Sequence, residues 1–214
     1  TKGSDSSAAY FHSTNRGKQG ITVDFKDPER LTYLKELISN ADVLIENFKV
    51  GGLKKFGLDY ATLAPDNPKL VYCSVTGFGQ DGPRAQKAGY DFMIQGMTGI
   101  MDITGEPEGM PQKVGVAFAD VFTGLYGVIG IQAALAQRAR TGKGQHIDMA
   151  LFDCMLAAQA NQNLNYLTTG KSPQRMGNAH PSIVPYQVFP VGDGHIVIAC
   201  GNNRQFHNLA QALN

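Results

Sequence analysis

A chain of 214 residues with 43% hydrophobic content can bury a substantial core and corresponds to one large domain, or one domain and part of another. Its formal net charge of +1, with no run of like charges, excludes a nucleic-acid footprint, which would need a basic face to neutralise phosphates. Cys73, Cys154 and Cys200 lack CxxC spacing, which fits a reducing compartment and gives no zinc signature; no metal is expected. No signal peptide is recognisable, and the apolar stretch Val121–Gln137 is interrupted by Gly, Thr, Gln and Tyr and falls short of the roughly 20 residues a bilayer demands, so no membrane partner is expected either.

Taken in chain order, Ile21–Phe25 (ITVDF) alternates as a strand does. Asp27-Pro28 then opens a helix in which Leu31, Leu34, Leu37 and Ile38 recur at helical spacing. Asp42–Phe48 (DVLIENF) and Lys69–Val75 (KLVYCSV) read as further strands, separated by short helical pieces at Leu53–Leu58 and Tyr60–Ala64 that Pro65 and Pro68 close. Val121–Gln137 reads as a helix covered on most sides, because no charge appears on it before Arg138 and Arg140. After a stop at Thr141-Gly142, His146–Ala150 (HIDMA) is a strand and Leu151–Thr168 a second apolar helix. Lys171–Ser182 is loop by composition, Tyr186–Phe189 and His195–Cys200 form a hairpin across Val191–Gly194, and a last helix starts at Asn203. Strands alternating with helices imply an α/β fold with a mostly parallel sheet covered by helices. The polar opening TKGSDSSAA offers no first strand for such a sheet and the chain stops inside a helix at Asn214, so a fragment of a longer protein is expected.

Asp120 stands out for chemistry. From Val114 to Gln137 nothing else ionises at neutral pH except the near-neutral Tyr126, and an acid among apolar neighbours needs partners or a task. The plainer reading makes Asp120 the N-cap of the helix that follows; the sharper one makes it a nucleophile. The two are compatible, because the backbone N–H groups and the positive end of the helix dipole would hold the carboxylate ionised.

Competing motifs are weaker. Gly77-Phe78-Gly79-Gln80-Asp81-Gly82 is a literal GxGxxG after a strand, but Pro83 and Ala88-Gly89 leave no long helix to receive a pyrophosphate, so it reads as a tight loop. Gly170-Lys171-Ser172 imitates the end of a P-loop, yet the earlier glycine is replaced by Asn165 and Pro173 breaks the helix. No GxSxG is present, Cys73 reads as a small buried thiol in a core strand, and His12, His146, His180, His195 and His207 show no metal spacing and read as surface or loop residues.

The succession NRGKQGITVDFKDP, DVLIENF, LVYCSVTGFGQDGP, AGYDFMIQGMTGIMDITGEP, VGVAFADVFTGLYG, RTGKGQHIDMALFD and RMGNAHPSIVPYQVF closely resembles class III CoA-transferases, the family of formyl-CoA transferase and carnitine CoA-transferase (CaiB/BaiF), in the right order over nearly the whole chain. The resemblance implies a Rossmann-like fold with residues 1–170 in a large CoA-binding domain that lacks its N-terminal strand. Residues 171–185 would form a linker or flap, and residues 186–214 the start of a truncated smaller domain. It also implies an interlocked homodimer and a cytoplasmic location, or the mitochondrial matrix in a eukaryote. No tightly bound cofactor is implied; coenzyme A thioester and a small carboxylic acid, dicarboxylates among them, are the substrates.

In such enzymes an aspartate matching Asp120 attacks the acyl-CoA to give a mixed anhydride and then an aspartyl-CoA thioester, without ATP. The CoA contacts implied are Val23, Asp24, Phe25 and Lys26, then Asn47, Phe48 and Lys49, and a phosphate-facing Lys55, where relatives often carry Arg. Ala88, Gly89, Tyr90 and Asp91 match the stretch lining the pantetheine end. Gly177, Asn178, Ala179 and His180 match the position of a flap. Related α-methylacyl-CoA racemases carry a His where Tyr90 stands, and tyrosine replaces poorly a base that titrates near pH 7, which favours transfer over racemisation. A racemase and a CoA-binding module without turnover are the alternatives.

Overall fold

The computed structural model describes residues 7–213, in two units that divide after Ala41. Residues 1–6 of the polar opening and Asn214 lie outside the described residues. The first unit contains helices α1 (Ala9–Thr14) and α2 (Pro28–Ser39). Pro28 occupies the first turn of α2, where its missing N–H costs nothing, and Asp27 caps it by accepting from the N–H groups of Glu29 (2.9 Å) and Arg30 (3.2 Å). The strand expected at Ile21–Phe25 does not form. The Asp24 carboxylate accepts from Lys26 N–H (2.9 Å) and its carbonyl from Asp27 N–H (3.1 Å), turning the chain into α2; alternation alone makes no strand without a neighbouring ladder.

In the second unit, β1 (Val43–Glu46), β2 (Val71–Thr76) and β3 (His146–Ala150) form a parallel sheet in the order β1-β2-β3, with Val43 opposite Val71 and Tyr72 opposite His146. The central strand is almost wholly buried, as expected of a parallel strand covered on both faces. One face, with Val71 and Cys73 of β2 and Ile147 and Met149 of β3, packs against Ile131, Ala134 and Leu135 of helix α5 (Phe118–Thr141). The other face carries Tyr72, Ser74 and His146. A single 3-10 turn (Lys54–Phe56) and helix α3 (Tyr60–Leu63) run beside it: Tyr60 stacks on the His146 ring at 5.1 Å, and Tyr72 Oη donates to Leu58 O (2.9 Å). His146 thus opens the strand its sequence describes and is exposed, as a surface histidine was expected to be, with its Nε2 2.9 Å from Ser74 Oγ.

Helix α5 is longer and less covered than its sequence suggests. Ala119, Thr123, Gly127, Ile131 and Ala134 form one buried stripe, while Val121, Leu125, Val128 and Ile129 are 44%, 56%, 57% and 63% exposed. At 24 residues the helix is long and apolar enough to cross a membrane by length and composition, but a buried stripe on one side is what a core helix shows. That stripe faces β2, β3, α4 (Asp91–Met97) and α6 (Leu151–Ala158). At the far end Gly142 takes a left-handed φ of 73° as C-cap. Two residues on, the backbone passes so close to β2 that a Cβ on Gly144 would lie 2.0 Å from Leu70 O. Arg138 fastens the same end, donating from Nη1 to Lys69 O (3.1 Å) and from Nη2 to Asp42 Oδ1 (2.8 Å).

The single helix expected over Leu151–Thr168 is two, α6 and α7 (Asn161–Thr169), parted at Ala160 with φ 44°. Gln159 is drawn inward, its Nε2 donating to Thr98 O (2.7 Å), and the run Asn161-Gln162-Asn163 contains side chains that compete with the helical backbone. Strands β4 (Tyr186–Val191) and β5 (Gly194–Ala199) form the expected antiparallel hairpin, and α8 (Asn203–Ala212) follows, capped by Asn202 on Gln205 N–H (3.0 Å).

Candidate functional site

Asp120 is the third residue of α5, inside the helix, so it is not the N-cap. The cap position is Ala117, which has no side-chain acceptor. The helix starts earlier than expected because another carboxylate serves it: Asp91 Oδ1 accepts from Ala119 N–H at 2.8 Å. Asp91 Oδ2 accepts from Gln95 Nε2 (2.8 Å), so both oxygens are engaged. Among the described residues no hydrogen bond reaches the Asp120 carboxylate. Burial of part of the group pushes its pKa above the ordinary aspartate value, and the negative charge of Asp91 pushes it further. These influences outweigh the helix terminus that was expected to favour ionisation. A carboxylate left unbonded and made more basic is a better nucleophile and a better proton acceptor than an ordinary surface aspartate.

Asp120 opens onto a cavity of about 360 Å³ lined by Asn47, Val75, Gly89, Tyr90, Asp91 and Thr123 among others. Asn47, Val75, Gly89 and Tyr90 also line a second cavity of about 190 Å³ that extends to Phe48, Lys49, Lys87 and Ala88. The two cavities adjoin at these shared walls and together make one channel-like depression, lined by Asp120 in the first and by two lysines in the second. Asn47 follows β1 directly and is held by its Nδ2 donating to Val75 O (2.6 Å), while Tyr90, just before α4, is 78% exposed at the rim. The channel wall depends on Gly77 and Gly89 passing back to back: a Cβ on either would lie 2.5 Å from the other's Cα.

That contact explains the first glycine of the GxGxxG segment. Two of the loop's amides are also engaged, Gly79 N–H donating to Thr76 Oγ1 (3.0 Å) and Gln80 N–H to Asp148 Oδ2 (2.7 Å), which fits a tight loop rather than a phosphate cradle. Cys73 is 1% exposed and burial, first, pushes its thiol up to about 11, as befits an inert core cysteine. Among the described residues no group of three His, Cys, Asp or Glu gathers where a metal could sit.

Of the residues singled out from sequence, Asn47, Phe48, Lys49, Ala88, Gly89, Tyr90, Asp91 and Asp120 therefore meet around one channel. Lys55 does not: its Nζ sits 4.9 Å over the Phe56 ring, and the neighbouring Lys54 instead joins Lys49 at a third cavity of about 250 Å³ beside Tyr60 and His146. Val23, Asp24, Phe25 and Lys26 belong to the first unit, in the turn before α2. The segment Gly177, Asn178, Ala179 and His180 does not line the Asp120 cavity and is bonded elsewhere. Gly177 N–H donates to Gly105 O (3.0 Å), and His180 N–H donates to Tyr186 O (3.0 Å) with the two rings edge to face. Just before it, Arg175 holds Asp102 Oδ1 at 2.7 Å. Sequence reading passed over Lys87, Thr123 and Gln95. Lys87 adjoins the quoted AGYD block, and Gln95 is a lone amide in the apolar run Phe92–Met97, a signal that could have been read.

A family model described as CoA-transferase family III matches residues 1–214. The chain is similar to a succinate–glutarate CoA-transferase of Agrobacterium fabrum, 57% identical over 211 residues that cover 99% of this chain and 53% of that protein. It is also similar to an acetyl-CoA:oxalate CoA-transferase of Acetobacter aceti, 42% identical over 205 residues, 95% of this chain and 53% of the relative. Among solved structures, a CaiB/BaiF family protein from Brucella suis superposes with a TM-score of 0.86 at 65% identity, over 97% of this chain and 55% of its own length. The chain thus spans about half the length of the relatives it matches.

Proposed function

Because the chain belongs to CoA-transferase family III, we propose that the whole protein moves CoA from an acyl-CoA donor to a small dicarboxylate through Asp120. The observation that carries this reading is the Asp120 carboxylate itself, free of hydrogen bonds and raised in pKa, in a cavity that adjoins one lined by Lys49 and Lys87. Lysines there suit the phosphates of CoA as point charges. The relatives' names pair CoA with succinate, glutarate and oxalate, and succinate with glutarate is the pair to test first.

An Asp120 oxygen attacks the thioester carbonyl; the C–S bond breaks, CoA leaves as thiolate, and a mixed anhydride remains. The thiolate then attacks the Asp120 acyl carbon and expels the donor as a carboxylate, leaving an aspartyl-CoA thioester. The acceptor carboxylate attacks that carbon and releases the thiolate again. Attack of the thiolate on the acceptor's carbonyl finally gives the new CoA ester and restores the Asp120 carboxylate. Each step exchanges one acyl bond for another, so neither ATP nor a metal enters the balance. Tyr90 at the rim supports transfer over racemisation, since a tyrosine does not exchange an α-proton near neutral pH as a histidine can. The apolar outer face of α5 supports association into a homodimer, and the three free cysteines support a reducing, cytoplasmic compartment.

The test uses the full-length protein with succinyl-CoA and glutarate, followed by hydroxylamine or borohydride and mass spectrometry. Modification of Asp120 that requires acyl-CoA is expected. An unmodified Asp120 together with α-proton exchange would replace this reading by a racemase, and CoA binding with neither reaction by a binding module.

A further inference from the structure

Gln95 lies on α4, wholly buried at 0% exposure, and its amide is used on both sides. Oε1 accepts from Val114 N–H (2.9 Å); Nε2 donates to Asp91 Oδ2 (2.8 Å) and, at 3.3 Å, to Val116 O. The other Asp91 oxygen accepts from Ala119 N–H. One amide and one carboxylate, a single helical turn apart, therefore grip the approach to Asp120 at Val114, Val116 and Ala119. That approach has no regular structure of its own and includes Gly115; apart from the helix's own Val121 N–H to Ala117 O (3.0 Å), one tight backbone bond, Phe118 N–H to Val116 O (2.8 Å), is all that ties it locally to the start of α5.

We propose that Gln95 and Asp91 are a positioning pair that sets the first turn of α5, and with it the direction of the Asp120 carboxylate, while neither touches substrate. This rests on the reading of Asp120 as nucleophile. It also gives Asp91 a task different from the pantetheine contact its sequence position implied, since both its oxygens are already engaged by the protein. A glutamine is required at position 95 because one end group must accept from Val114 and donate to Asp91. Leucine can do neither. Glutamate can do only the first, and sets a second carboxylate oxygen against Asp91 Oδ2 where the amide nitrogen stood. The pairing can be rebuilt by exchange: with Asp91→Asn and Gln95→Glu together, the asparagine oxygen still accepts from Ala119 and its nitrogen donates to the new carboxylate.

The experiment compares full-length wild type, Gln95→Glu, Asp91→Asn and the double variant by kcat, by KM for succinyl-CoA, and by the rate at which a carbodiimide and an amine label Asp120 without substrate. The single variants are expected to lose roughly 30-fold or more in kcat, with KM within about threefold and circular dichroism unchanged, because placement of the reacting group is disturbed; Asp91→Asn also removes the like charge that raises the Asp120 pKa, so Gln95→Glu, which keeps Asp91, is the variant that isolates placement from the loss of that charge. Their Asp120 labelling rates should depart from wild type, and the double variant should recover most of both losses. Wild-type kcat in Gln95→Glu, losses in kcat that only follow a loss of helix content, or a double variant no better than the worse single would overturn the proposal. Should the wild type transfer no CoA, the labelling rates still decide it: equal rates in all four proteins overturn it, and a shift that the double variant reverses supports it. Should Gln95→Glu not fold, Asp91→Asn and the double variant give the same comparison.

Discussion

Replacing Gly77 by alanine tests whether the glycine after β2 serves packing or phosphate. The new Cβ would lie 2.5 Å from Gly89 Cα and 2.7 Å from Gly89 N, and both are backbone atoms that cannot rotate away. The two segments must part by about 1 Å to reach ordinary contact, in an interior that has little slack. Forcing a methyl group into such a place costs about 1–3 kcal/mol, and the bond from Phe152 N–H to Gly77 O (3.1 Å), which joins the end of β2 to α6, adds about 1 kcal/mol if it breaks. A loss of roughly 2–4 kcal/mol lowers the urea midpoint by about 1–2 M for an m-value near 2 kcal/mol/M, read by circular dichroism on the full-length protein. Gly89→Ala meets the same contact from the other side, with Ile94 Cδ1 at 3.2 Å as well, so its cost should be similar and the double variant less than additive. The reasoning is refuted if both alanine proteins unfold at the wild-type midpoint. Weaker CoA binding at unchanged stability would return the loop to phosphate recognition.

Asp120→Asn should lower turnover on the order of a thousandfold or more and abolish the hydroxylamine adduct. The same variant should be slightly more stable than wild type at neutral pH. A raised pKa means the ionised form is less favourable in the folded chain than in the unfolded one, a penalty present above the folded pKa and absent below the unfolded value; a destabilised variant at pH 7 would contradict this. Cys73, pushed up to about 11, holds roughly one thiolate in a thousand at pH 8, so iodoacetamide should label it only after unfolding, and rapid native labelling would count against its burial. Arg138→Ala should cost about 1–2 kcal/mol in denaturant midpoint because it strips the donor from the Lys69 carbonyl. Asp42→Ala should cost less, since that carboxylate is 79% exposed and its ion pair is largely screened; the reverse order would show that the pair itself holds the helix end.

Where a signal was local, the sequence carried the fold. Asp27-Pro28 names its own helix start, His146–Ala150 forms the strand its sequence describes, and the hairpin of β4 and β5 turns at Gly192-Asp193 as its composition suggests. Misreadings arose where a distant residue decided the outcome. Ile21–Phe25 alternates but turns at Asp24; Leu151–Thr168 reads as one helix until Gln159 is bonded to Thr98, 61 residues away. Lys55 has the right charge beside the right block, yet its ammonium rests on Phe56 while Lys87 reaches the channel. Spacing along the chain cannot tell those two lysines apart, because which one faces the channel is set by the 3-10 turn and by the Gly77–Gly89 crossing.

Asp120 shows the same division within one residue. That an acid alone in an apolar run needs a partner is sound physics, and capping is the ordinary answer. The helix start, however, is already served by Asp91, whose place in the sequence lies 28 residues before the amide it binds. With the capping role filled, Asp120 is left without a hydrogen bond and beside a like charge, an arrangement that costs stability and is in keeping with the proposed reactivity. The apolar run matters for a second reason. It provides the buried stripe of α5 that fixes the helix on the sheet, so the first turn, bonded to Asp91 and approached through Gln95 on α4, has a rigid base from which to hold the proposed nucleophile in place.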